Sequence, residues 1–251
     1  MKEYSWKNKK YTLISYLLFI VLWQCAAVII NNDIYLPRVE QVIEAIGKII
    51  SGKDFYKTVL SSFCRTGFSY CAALIFAMIL GVLSVMYPFF EYMLRPINSI
   101  IRSIPTLVLI VLALVWFDKD MTPFIVGFVV VFPIIYEGIK NAVRNYDSSI
   151  MDMTQIYEVS MKDKIMKIYF PLIKFYIMSI FVSTFSLAFK VVIAGEVHGQ
   201  PKYGIGSQVQ LEKINFNTPG IFAWIIMVMA ISFVFEFINK YLNKRVYRWS
   251  E

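Results

Sequence analysis

Few side chains in this sequence could do covalent or acid–base chemistry. One histidine, His198, serves the whole chain, and no nucleophile or ligand cluster accompanies it at a catalytic spacing; it reads as a loop residue. Cys25, Cys64 and Cys71 all lie in apolar runs. Without CxxC or Cys/His ligand spacing they read as small buried hydrophobes rather than metal or redox groups. The GxG at Gly204 and Gly206 lacks a following G-K-[ST], so the chain carries no phosphate cradle of its own.

The remaining chemistry lies in charged groups set among apolar ones. Arg65, Lys190, Glu196 and Glu236 fall within or at the ends of long hydrophobic segments, where a charge costs roughly 2.5–3.5 kcal/mol at mid-helix and so needs a partner or a task. Lys190 and Glu196 stand six apart in FKVVIAGEV. Two readings are open. Lys190, Glu196 and Arg65 could line a path for an anionic solute, or they could form structural pairs, Lys190 with Glu196 and Arg65 with a carboxylate.

The elements that must hold these groups follow from composition. With 58% hydrophobic and only 17% charged residues in 251, the chain is too apolar to hide its surface in one water-soluble core. Crossing the hydrocarbon takes roughly 20 apolar residues per helix, and runs near 11–30, 57–86, 98–117, 122–143, 172–195 and 219–240 meet that length. The expected fold is an all-α membrane protein of six transmembrane helices in one domain, 1–251. The first run is too long for a signal-peptide core and is expected to be retained. Residues 38–51 place Val39, Val42, Ile43, Ile46, Ile49 and Ile50 beside Glu40, Glu44 and Lys48, an amphipathic surface helix. Lys and Arg are in excess on the amino-terminal side, which predicts both termini in the cytoplasm, residues 1–10 as a tail there, and 38–51 outside. The net charge of +8 gathers at the ends of apolar runs, which suits lipid headgroups and not nucleic acid.

Residues 147–170 then fall inside. The stretch DMTQIYEVSMKDKIMKIYFPLI is polar and helix-patterned, with an apolar edge of Ile150, Met153, Tyr157, Met161, Ile165, Ile168 and Leu172. Ser149 with Asp152 and Ser160 with Asp163 predict two successive helix starts, joined near Glu158. Pro171 is expected to open the fifth span, where a missing N–H does least harm.

This stretch resembles the cytoplasmic loop of permease subunits of binding-protein-dependent ABC importers, whose signature is E-A-A, three residues, G, nine residues, I-x-L-P. Asp152 stands for the Glu, Met153 and Thr154 for the alanines, Glu158 for the Gly, Ile168 for the Ile, Phe170 for the Leu and Pro171 for the Pro. With Glu158 in the glycine's place, a shallow bend is expected there instead of a left-handed turn. YLPRVEQVIEAI, LLRPINSIIRSIPTLVLIVLALVWF and AGEVHGQPKYGIG are similar to the L-P-x-P, L-R-P/R-x-I-P/W-F and A-x-E/G-x-G regions of the nitrate/sulfonate/taurine branch; the second proline of the first motif is absent.

The resemblance implies a type I ABC importer permease fold in a prokaryotic inner membrane, with a coupling helix between spans four and five. Asp152, Met153, Thr154, Tyr157, Glu158, Ser160 and Pro171 would engage cytoplasmic ABC ATPase subunits, which bind ATP and Mg. An external solute-binding protein would deliver a small polar or anionic solute such as a sulfonate, nitrate or vitamin precursor. A second permease copy, as a homodimer, would complete the path. The alternative class is a membrane scaffold or membrane-embedded enzyme without an ATPase partner.

Overall fold

The computed structural model describes residues 9–144, 153–154 and 156–246, and its described elements are all helical. In chain order they are α1 (Lys9–Ile30), α2 (Val39–Ile50), α3 (Phe55–Met86), α4 (Pro88–Ser103), α5 (Thr106–Trp116), α6 (Thr122–Arg144) and α7 (Met161–Lys164). A π-helical stretch, Ile165–Tyr169, then leads into α8 (Phe170–Gly199), followed by α9 (Ile205–Ile214) and α10 (Thr218–Val246). Five helical runs are long and apolar enough to cross a bilayer, and the bent pair α4–α5 brings the number to at most six. The chain divides into two compact units, 1–56 with 208–230, and 57–207 with 231–251.

In the first unit α1 exposes most of its apolar surface, from Tyr11 to Leu22, as a helix solvated by lipid does. Its carboxy-terminal end is tied to the chain that follows. Trp23 Nε1 donates to the Pro37 carbonyl at 3.0 Å, and the Val39 amide donates to Gln24 Oε1 at 2.9 Å. The start of α2 is capped by the Gln41 side chain, which accepts from the Arg38 amide at 2.8 Å, supplying a partner for a backbone donor the helix cannot use. Val42 is the residue this amphipathic helix buries, while Ile43 and Ile50 stay exposed.

The second unit is built on a close approach of α3, α6 and α8. Along α3 the buried positions are Thr58, Ser62, Thr66, Ser69, Tyr70, Ala73, Ala77, Gly81 and Ser84, a stripe of mostly small residues at spacings of three and four. Such a stripe lets helix backbones approach where lipid supplies no hydrophobic drive. A Cβ on Gly81 would stand 2.9 Å from Ile139 Cγ2. Into this groove pack Val131, Phe132, Ile135, Tyr136 and Ile139 of α6 and Ile173 and Ala188 of α8. Some of the polar atoms there are paired: Tyr136 donates to Ser84 Oγ at 2.8 Å, and the Tyr70 and Thr184 hydroxyls meet at 3.1 Å, whereas the buried Ser69 hydroxyl has no partner among the described residues. Phe235 of α10 meets Phe185 and Phe189 edge to face and Phe63 at a tilt.

Three expectations are corrected. Residues 98–117 are not one continuous helix: α4 and α5 are bent by 107°. The cause is Pro105, whose ring disfavours helical backbone at the residue before it; Ile104 is extended, at φ −81° and ψ 127°. Pro171 lies in the first turn of α8, as expected, although the helical run extends behind it to Met161. The π-helical stretch absorbs the proline: the Phe170 amide reaches back five residues to the Ile165 carbonyl, so the register shifts just ahead of the residue that has no donor. His198 lies in the last turn of α8 rather than in a loop, its Nδ1 3.0 Å from the Ala194 carbonyl. Cys25, Cys64 and Cys71 are exposed, not buried; a thiol is apolar enough to face acyl chains.

Candidate functional site

The A-x-E and G-x-G motifs meet around one carboxylate. Glu196, near the end of α8, has no exposed surface, so each of its lone pairs needs a donor. Ser62 Oγ lies 2.9 and 2.7 Å from its two oxygens. Arg65 Nη1 donates to Oε1 at 2.9 Å, and the Gly206 amide donates to Oε2 at 3.1 Å. Each donor is held in turn. Ser62 accepts from the Ile205 amide at 2.9 Å, while Arg65 Nη1 also donates to the Tyr203 carbonyl at 2.6 Å and Nη2 reaches Asp120 at 3.4 Å.

Local backbone chemistry makes the encounter possible. Gln200 caps α8 in the left-handed region at φ 49°, its amide bonded to the Glu196 carbonyl at 2.8 Å, and this reverses the chain so that 203–206 cross back over the carboxylate. Gly204 must be glycine there: a Cβ would sit 2.7 Å from Glu196 Cδ. With three protein donors, Ser62, Arg65 and the Gly206 amide, and no exposure, Glu196 is spent on holding α3, the end of α8 and the start of α9 together. Among the described residues no group of His, Cys, Asp or Glu could hold a metal ion.

Of the residues expected to line a path, Arg65 and Glu196 are brought together and Lys190 is not. Lys190 is exposed and makes no ion pair among the described residues, so the alternative pairing of Lys190 with Glu196 is replaced by Arg65 with Glu196. The side chain of Glu236 falls outside the described ones. Ser62, Asp120 and Tyr203 were not found from sequence; the i, i+4 stripe of small residues on α3 was the readable signal for Ser62.

The polar stretch 153–171 forms a second candidate surface; Asp152 lies outside the described residues. Thr154 is buried, whereas Met153, Ile156, Tyr157 and Met161 are exposed. The chain turns between them at Glu158, whose φ is 46°, a left-handed residue and not the shallow bend expected. The Val159 amide bonds to the Thr154 carbonyl at 3.0 Å, the six-to-one closure that ends a helix on a left-handed residue. That hydrogen bond offsets what a side chain costs in this region. Ser160 then caps α7 by accepting from the Asp163 amide at 3.2 Å, as the Ser160/Asp163 pattern predicts. Ile165 and Ile168 pack against the α3–α6–α8 core, so the exposed turn is rooted in the rigid part of its unit. Pro171 is half-buried behind it.

Residues 73–248 match the family described as binding-protein-dependent transport system inner membrane component. The chain belongs to that family. The permease is 24% identical, over 92% of its length and 89% of the relative's, to a Methanocaldococcus jannaschii protein provisionally named an ABC transporter permease. It is 19% identical, over 99% of its length and 89% of the relative's, to a Bacillus subtilis protein provisionally named the aliphatic sulfonates transport permease SsuC. Its fold is similar to a chain of the methionine ABC transporter MetNI in an inward-facing conformation, with a TM-score of 0.61 at 16% identity, covering 76% of this chain and 95% of that one. The permease is thus a multi-pass inner-membrane component of an ABC importer, and its family is one of transporter subunits.

Proposed function

We propose that the permease forms the translocation path for a small anionic solute of the sulfonate class, with nitrate and vitamin precursors as the related alternatives, and that the 153–171 turn is where ATP hydrolysis on a separate subunit is coupled to it. The observation that carries the coupling is the exposed apolar knob of Met153, Ile156 and Tyr157 at the left-handed turn of Glu158. An apolar knob in water invites a partner groove, and this one continues directly through the π-helical stretch into α8. A push on it is therefore delivered to a membrane helix. Met153, Thr154, Tyr157, Glu158, Ser160 and Pro171, with Asp152 preceding them, are the residues assigned to this contact; ATP and Mg are bound by the partner. The likeness to a relative named for aliphatic sulfonates supports the solute class. An external binding protein delivers the solute, and a second copy of the chain, both with termini in the cytoplasm, closes the path. Within it, Lys190 is the cation available to solute, while Arg65 and Glu196 shape the wall.

The test is co-reconstitution with the ATPase and binding protein in liposomes. Sulfonate should stimulate ATP hydrolysis, and Tyr157→Ser should reduce that stimulation at least about tenfold, the order expected when an apolar anchor is lost from an interface, while the assembled complex is retained. Stimulation unchanged in Tyr157→Ser would refute the coupling surface; no stimulation by any sulfonate would refute the solute class.

A further inference from the structure

A pocket of ≈ 570 Å³ lies between α4 and α6, apart from both sites described above. Ligand sites commonly fall between about 300 and 1,000 Å³. On α4 the arrangement is amphipathic: Phe89, Tyr92, Met93, Ile97 and Ile100 form an exposed apolar face, and Arg95, Asn98 and Arg102 lie on the opposite one, lining the pocket.

The charges in this pocket do not cancel. Glu91 takes both prongs of Arg144, at 2.7 and 2.6 Å, and Lys140 stands 2.8 Å from Glu137 and 3.6 Å from Glu91. Both carboxylates are thereby committed. Arg95 and Arg102 are exposed and have no ion pair among the described residues. Between them Asn98 is buried to 2% exposure, and neither its Oδ1 nor its Nδ2 has a hydrogen-bond partner. A buried amide left unpaired is destabilising, so a site with two uncommitted guanidinium forks and an unsatisfied amide is one built for a ligand that accepts hydrogen bonds from all three.

We propose that the Arg95–Asn98–Arg102 face binds a tetrahedral oxyanion, a sulfonate- or phosphate-type group. Planar guanidinium forks match such oxygens two at a time, and the amide supplies a further donor. The group has two sources: a free solute anion, or the headgroup of an anionic phospholipid whose chains lie along the exposed apolar face of α4.

The full chain in nanodiscs of zwitterionic lipid is titrated with methanesulfonate by calorimetry, and in parallel phosphatidylglycerol doped into the disc is followed by native mass spectrometry. At least one probe should bind saturably, one per chain, with its dissociation constant raised about tenfold by Arg95→Gln or Arg102→Gln and unmoved by Lys48→Gln on α2. Methanesulfonate binding marks a solute subsite; retention of the lipid alone marks a headgroup seat. Should Arg102→Gln fail to fold, Arg102→Lys, which keeps the charge and loses the fork, is read with the same expected direction. Failure of both probes to saturate, or wild-type binding by the Arg95→Gln/Arg102→Gln double variant, would overturn the site. Because no ATPase is present, either outcome is separable from the coupling reading.

Discussion

Arg65 Nη1 of α3 lies 2.9 Å from Glu196 Oε1 of α8, two residues separated by 131 positions in sequence. The carboxylate is fully buried and the Arg65 side chain is 17% exposed, so loss of Arg65 leaves a buried charge without its counter-charge, and loss of Glu196 leaves Arg65 only its longer ion pair with Asp120. Glu196→Leu or Arg65→Met alone should destabilise the permease by about 3–5 kcal/mol. The double variant should recover much of that loss. Thermal unfolding of the four proteins in detergent, read as a double-mutant cycle, checks it; additive losses would show that the pair is not a unit.

Gly204→Ala should act on the same carboxylate from the other side. The new Cβ would meet Glu196 Cδ at 2.7 Å, and because the carboxylate is pinned by Ser62, Arg65 and Gly206 it cannot swing away. A loss of about 1–3 kcal/mol is expected, measured by the same unfolding assay.

At Glu158 the expected effect is stabilising. Its φ of 46° is a region where a side chain costs roughly 1–2 kcal/mol and glycine costs nothing steric. Glu158→Gly should slow hydrogen exchange of the Val159 amide, which closes on Thr154. Faster exchange in the variant would mean that a Glu158 side-chain contact, and not backbone geometry, holds the turn.

The stripe on α3 makes a packing prediction. Gly81→Val places branched carbon against Ile139, whose Cγ2 is already 2.9 Å from where a Cβ would begin. Overpacking should cost about 1–3 kcal/mol and be relieved in part by Ile139→Ala. Absence of that relief would place the clash elsewhere.

On α2, the hydrogen bond and charge of Lys48 hold the Glu44 carboxyl below its ordinary value, the two groups being 2.7 Å apart. A carboxylate whose folded value is lowered adds stability above its unfolded value and loses it as pH falls through the folded one. Lys48→Gln should therefore move the Glu44 titration upward, seen directly by carboxyl-carbon NMR.

Much of this protein was legible from residue order alone because the bilayer imposes one-dimensional rules. A span needs a certain length of apolar chain, and a helix buries one stripe of its pattern, so the membrane class, most spans, the amphipathic α2 and the Ser160 cap follow from composition and spacing. The tertiary structure alone decided which charges meet. Glu196 pairs with Arg65 and not with Lys190 because the small residues of α3 let that helix approach α8, and because the turn at Gln200 folds Gly204 and Gly206 back over the carboxylate. Neither distance is encoded in any local pattern. At Glu158 the closure of the Val159 amide on Thr154, five residues back, overrode the preference of a side chain against the left-handed region. The α4–α5 break, by contrast, is local: Pro105 acts on Ile104, and its signal was in the sequence.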